Sequence, residues 1–142
     1  MTEPHDPIRA YLESRGCDPQ VAERGLEGLI DEWRQIAYDL TEQGYVLGLD
    51  DYLNDMDGRD ILEGALQALE PAERAPARAR VEAADQQVIQ ATVPCAGCLW
   101  GEELAAAHHW QAGKQWWYYR VPRECSLELA GDLEAAGLAP LE

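Results

Sequence analysis

Apolar residues recur along most of the chain at the three- and four-residue steps of a helix, which predicts a mainly α fold of about five helices. The most regular stretch takes Val21, Ala22, Leu26, Leu29, Ile30, Trp33, Ile36, Ala37 and Leu40, and Gly44 ends it. Asp18 is placed to cap this helix, and Pro19 takes its first position, where a missing N–H costs nothing. Gly25 and Gly28 fall inside it, where close packing is the expected reason for a glycine. Ahead of it, Ile8, Tyr11 and Leu12 mark a short helix from Pro7 to Arg15, closed by Gly16.

After Gly44 the pattern weakens. Tyr45, Val46 and Leu47 read as a short link, and Leu49 to Asn54 as a helical turn. Asp57, beside Gly58, is placed to cap a helix carrying Ile61, Leu62, Ala65, Leu66 and Leu69, which Pro71 ends. The stretch from Glu70 to Ala77 holds Pro71 and Pro76 and reads as a linker between helices. Ala77, Val81, Ala84, Val88 and Ala91 then give a helix with a small-residue seam, ended by Pro94. Beyond Pro94, glycine, cysteine and aromatic residues take over, with a helix expected from Glu102 to His109. A short aromatic strand or hairpin is expected near the C-terminus, from Gln115 to Val121. Ser126 is placed to cap a last helix on Leu127, Ala130, Leu133 and Ala136, stopped at Gly137. There is no internal repeat and no low-complexity tract.

A chain of 142 residues has the size of one domain, so residues 1–142 are expected to form a single acidic helical domain. Its 46% apolar content, with five Trp and six Tyr, is enough to offset the ordering entropy of a folded core. The opening Met-Thr-Glu-Pro-His-Asp has neither a basic nor an apolar leader pattern, and no stretch approaches the roughly 18 apolar residues of a membrane span. A cytoplasmic location is therefore expected, with Cys17, Cys95, Cys98 and Cys125 as reduced thiols. The 27 acids against 11 bases give a formal charge of −16. Such a field repels phosphates and attracts basic surfaces, so direct nucleic-acid binding is disfavoured and a basic protein partner is favoured.

Several residue groups could carry chemistry. Cys95 and Cys98 have the two-residue gap that lets both thiolates reach one zinc ion, with His108, His109 or Cys125 to complete the set. The second paired knuckle of a structural zinc site is absent, and the alternative is a loop with ordinary buried thiols. A redox role for the pair wants a preceding buried strand, whereas the preceding pattern is helical. Asp50, Asp51, Asp55, Asp57 and Asp60 invite a divalent cation, and Asp55-Met56-Asp57-Gly58 imitates the middle of a calcium loop. The first ligand position would then fall on Leu53 and the twelfth on Gly64, neither of which can serve. The adjacent His108 and His109 would point about 100° apart on a helix and cannot readily serve one centre. Neither Ser14 nor Ser126 sits in a nucleophile elbow, and no glycine-rich phosphate loop occurs.

The segment Trp116-Trp117-Tyr118-Tyr119-Arg120-Val121-Pro122-Arg123, with Lys114 before it, is the most unusual. As a strand it would be aromatic on both faces, and its cations form a basic patch in an acidic chain. Either Trp116, Tyr118 and Arg120 meet a partner, or the rings close the core with the arginines at its edge.

These features favour a non-enzymatic interaction module without a cofactor, such as an acidic inhibitor, immunity protein or nucleic-acid mimic. Asp50, Asp51, Asp55, Asp57, Asp60, Trp116, Tyr118 and Arg120 are its candidate contacts. One alternative is a zinc-binding protein or metal-assisted enzyme using Cys95, Cys98 and His108 or His109. Another is a ligand sensor with Trp100, Trp110, Trp116 and Tyr118 around an apolar pocket and Arg120 on an anion.

Overall fold

A computed structural model describes residues 6–141. Among these, six α-helices and one short antiparallel hairpin surround a continuous hydrophobic core. The fold is mainly α, with the hairpin toward the C-terminus as expected.

Helix α1 (Pro7–Ser14) begins on Asp6, whose side chain accepts from the Ile8 and Arg9 amides, and buries Ile8 and Leu12. Helix α2 (Pro19–Gln43) follows the long apolar stripe, burying Ala22, Leu29, Ile30, Trp33, Ala37 and Leu40. Asp18 is its N-cap residue but makes no side-chain capping bond. Gly25 is not a packing glycine within a regular helix: it has φ 62° and ψ −148°, and it breaks α2 near its start. That backbone region is open to glycine because it lacks a Cβ.

Helix α3 (Leu49–Ala68) corrects the expected cap at Asp57, since the chain is helical without interruption through that position. Its buried face takes Tyr52, Met56, Arg59, Leu62, Ala65 and Leu66, a stripe in helical phase on both sides of Asp57. Arg59 stands where the pattern wants an apolar residue, and this hid the continuity of the helix from the sequence.

Helix α4 (Pro71–Ala91) likewise corrects the linker expected from Glu70 to Ala77. Pro71 sits at the first helical position, and Pro76 is accommodated on the exposed side one turn later. The sharp corner between α3 and α4 is held by Arg74. Its Nε donates to Leu66 O at 3.0 Å, and its Nη2 donates to Gln67 O at 3.1 Å and Leu69 O at 2.8 Å. These carbonyls lie at the helix end, where few amides remain to pair with them, although Leu66 O also accepts from the Leu69 amide at 3.2 Å. Helix α4 packs most extensively on α2, and α1 lies against both α2 and α3.

The hairpin pairs β1 (Thr92–Pro94) with β2 (Arg120–Pro122), with Val93 opposite Val121. The strand expected from Gln115 to Val121 is therefore realised only at its end, because Trp116–Tyr118 form a 3₁₀ turn. A strand would send Trp117 and Tyr118 to opposite faces, whereas the turn buries both. Helix α5 (Glu102–His108) lies between the two strands in sequence.

Helix α6 (Leu127–Ala135) is capped by Ser126 Oγ, which accepts from the Leu129 amide at 3.1 Å. Its buried residues are Leu129 and Leu133, while Leu127 is 93% exposed, so the expected stripe starting at Leu127 is rotated. The last segment is tied back by bridges between Tyr45 and Cys125 and between Cys95 and Pro140.

Candidate functional site

The acidic run in α3 does not present one carboxylate surface. Helical geometry spreads it around the axis; Asp51 accepts from the Gly48 amide at 3.3 Å, and three further members are held by side chains from other parts of the chain. Asp55 accepts from Tyr45 Oη at 2.6 Å, and Asp57 accepts from Trp100 Nε1 at 3.0 Å and Tyr118 Oη at 2.8 Å. Asp60 lies 3.5 Å from Arg15. Burial pushes the Asp55 and Asp60 carboxyls above their ordinary range. The segment resembling a calcium loop is helical throughout, so its carboxylates do not converge.

Asp50 and Asp51, in the first turn of α3, are exposed. They line a groove of about 500 Å³ with Gly48, Leu49, Glu128, Asp132, Ala135 and Ala136. Gly48 brings the two walls together, because a Cβ there would stand 3.3 Å from Glu128 Oε1. Among the described residues, four carboxylates and no cation line this groove. Beside it in the chain are Val46, Leu47 and Leu127, all large and exposed. Ser126 Oγ donates to Leu47 O at 3.0 Å, so these apolar residues are brought to the same region from distant parts of the sequence.

The aromatic segment divides differently from the expectation. Trp117 and Tyr118 are buried, and Trp116 and Tyr119 are half-buried. Arg120 is engaged internally, donating from Nε to Thr92 Oγ1 at 2.8 Å and from Nη2 to Ile89 O at 3.0 Å and Thr92 O at 2.9 Å. It thereby caps α4 and braces the hairpin. Of the rings expected around one pocket, Trp110 lies 4.3 Å from Tyr118 with the planes tilted by 35°, while Trp116 turns toward Trp33 at 6.5 Å.

Cys95 and Cys98 are both buried, and burial raises both thiols above the ordinary range. Cys95 Sγ donates to Gly97 O at 3.2 Å, and His108 stacks on Trp110 at 4.6 Å. Among the described residues, no three His, Cys, Asp or Glu side chains come together to hold a metal ion.

A charged cluster that the sequence reading missed lies between α3 and α4. Arg59, 2% exposed, donates from Nε and Nη2 to the two oxygens of Asp85, both at 2.9 Å, and from Nη1 to Glu63 at 3.2 Å. Asp85 also accepts from Trp33 Nε1 at 2.8 Å, and the Arg59 guanidinium lies 4.5 Å from the centre of the Trp117 ring. Arg78 grips Glu63 with both terminal nitrogens, at 3.1 and 2.8 Å. Burial pushes Glu63 up, but hydrogen bonds from Arg78 and Gln67 and the charges of Arg59 and Arg78 hold it down at about 2. The available signal was a charge at a core-facing step on each of two helices. Arg59 falls between Met56 and Leu62, and Asp85 falls between Val81 and Val88.

Comparison with family models, curated proteins and solved structures returned no match. No helix of the described residues is long and apolar enough to cross a membrane.

Proposed function

We propose that the protein is a non-enzymatic interaction module that receives a basic, apolar-flanked segment of a partner protein between α3 and α6. The observation that carries this reading is the groove with Asp50, Asp51, Glu128 and Asp132 on its walls and exposed Val46, Leu47 and Leu127 beside it. Uniform acidity is accounted for by solubility without any partner. A cation-free groove with large exposed aliphatic neighbours suits a segment with Lys or Arg among apolar residues, the pattern of a contact that combines steering with burial. An inhibitor or immunity protein works through such a contact, and a nucleic-acid mimic would offer the same carboxylates to a phosphate-binding surface.

The proposal narrows the contact set. Asp50 and Asp51 remain in it, and Glu128, Asp132 and Leu127 join it. Asp55, Asp57, Asp60, Tyr118 and Arg120 are half-buried or buried and have internal hydrogen-bond or ion-pair partners, whereas Asp51 stays exposed while accepting from the Gly48 amide at 3.3 Å.

The test is capture of partners from lysate at low and high salt, comparing the native chain with Asp51→Lys/Asp132→Lys and with Leu127→Ser. Capture of a basic protein that weakens about tenfold or more with salt and with the double reversal, and falls with Leu127→Ser, is the expected result. Capture indifferent to all three changes overturns the groove as the contact.

A further inference from the structure

A large concavity lies away from the acidic groove, over the cluster between α3 and α4. It has a volume of about 840 Å³, within the range of small-molecule sites. Arg59, Asp85 and Trp117 line it with Glu63, Arg78, Glu82 and Gln86, and the loop before the 3₁₀ turn adds Lys114, Gln115 and Trp116. We propose that this cleft binds a small planar aromatic carboxylate, with its ring against Trp116 and its carboxylate on Lys114.

Three observations carry the proposal. The first is charge: Arg59, Arg78 and Lys114 balance Glu63, Glu82 and Asp85, so an anion meets little local repulsion on a chain of net charge −16. The second is an excess of donors. Lys114 is the only lysine in the chain and is exposed. It forms none of the ion pairs found among the described residues. Trp117 also lines the cleft, but its indole N–H is buried, with no acceptor among the described residues, so it reports on the cleft and does not itself reach a ligand. Gln86 and Gln115 add amides that can meet a ligand's polar edge. The third is a flat hydrophobic wall on a rigid base. Trp116 is half-buried with Trp33 and Trp117 at 6.5 and 5.7 Å, and the Trp33–Asp85–Arg59 network fixes what lies beneath. A preset indole face favours planar rings, and a lysine at its edge favours a negative charge on them.

The probe is 2-naphthoate, added to the ¹⁵N-labelled full chain, with neutral 2-naphthamide as the shape-matched comparison. Saturable shifts in the indole N–H signals of Trp116 and Trp117 are expected, with 2-naphthamide binding about tenfold or more weakly. Lys114→Ala lies on an exposed loop. It is expected to remove most of the naphthoate preference while leaving 2-naphthamide unchanged, and Asp51→Lys in the distant groove is expected to leave both alone. Absence of shifts at millimolar naphthoate, equal binding of acid and amide, or a Lys114→Ala chain that keeps the preference would each overturn the proposal.

Discussion

At the scale of single residues, the decisive feature is a guanidinium in the core. Arg59 is stable there because Asp85 and Glu63 accept from three of its nitrogens and an indole face lies over it. Removing the Asp85 charge leaves the buried guanidinium only Glu63, which is shared with Arg78, and breaking a buried pair in this way costs up to about 3–5 kcal/mol. Asp85→Asn is therefore expected to lower unfolding free energy by about that amount in urea titration. Arg59→Met combined with Asp85→Leu should recover part of the loss, because no charge is then stranded. A change of less than about 0.5 kcal/mol in the single variant would show that water reaches the pair.

Glu63 gives a pH-dependent companion prediction. Its folded pKa is held down at about 2, below its ordinary 4.5. Its contribution is thus fully present above about pH 4.5 and is lost as pH falls toward 2. Glu63 is partly exposed, so solvent screening limits that contribution to the order of 1–2 kcal/mol. Subtracting the acid-unfolding curve of Glu63→Gln from that of the native chain should leave a slope confined to this window. These residues were hard to read because Arg59 and Asp85 look like surface charges until their positions on the two stripes are compared.

At the scale of elements, what was legible depended on whether backbone or side-chain logic governed. The long stripe of α2, the Ser126 cap and the α5 boundaries follow local rules and were readable. The continuity of α3 was not, because the capping preference of Asp57 pointed to a boundary that tertiary packing overrides. Nor was the start of α4, where the pair Pro71 and Pro76 looked like a linker although the corner is clamped by Arg74. The acidic groove was half legible: Asp50 and Asp51 stood out, but nothing local connects them with Glu128 and Asp132.

Two glycines test this level. Gly25→Ala places a Cβ in a left-handed conformation and is expected to cost about 1–2 kcal/mol by thermal or urea unfolding. Gly64→Ala drives a Cβ into the Tyr11 hydroxyl and the ring edge that carries it, where α1 meets α3, so a similar or larger loss is expected. Tyr11→Leu should rescue the second substitution but not the first.

At the scale of the whole molecule, the charge is unevenly managed. Arg59 and Arg78 pair with acids inside or beside the core, and Arg74 and Arg120 serve helix ends. Among the described residues, many exposed carboxylates consequently form no ion pair, and they repel one another over a screening length that shrinks from about 30 Å to about 8 Å between 0.01 and 0.15 M salt. The melting temperature is expected to rise over that range of sodium chloride. A fall would mean that exposed pairs such as Arg80 and Glu27 outweigh the general repulsion.

The close set of Trp33, Trp116 and Trp117 has an optical consequence. Their successive ring centres lie 6.5 and 5.7 Å apart, with planes inclined by 57° and 77°. Indole transitions that close and that strongly tilted share their excitation, which produces paired circular-dichroism bands of opposite sign. Most of that signal should come from rings that line or underlie one wall of the large cleft. A reorientation of Trp116 would then register as a change in exciton amplitude while the helical bands stayed constant, and the protein could be followed without an attached dye.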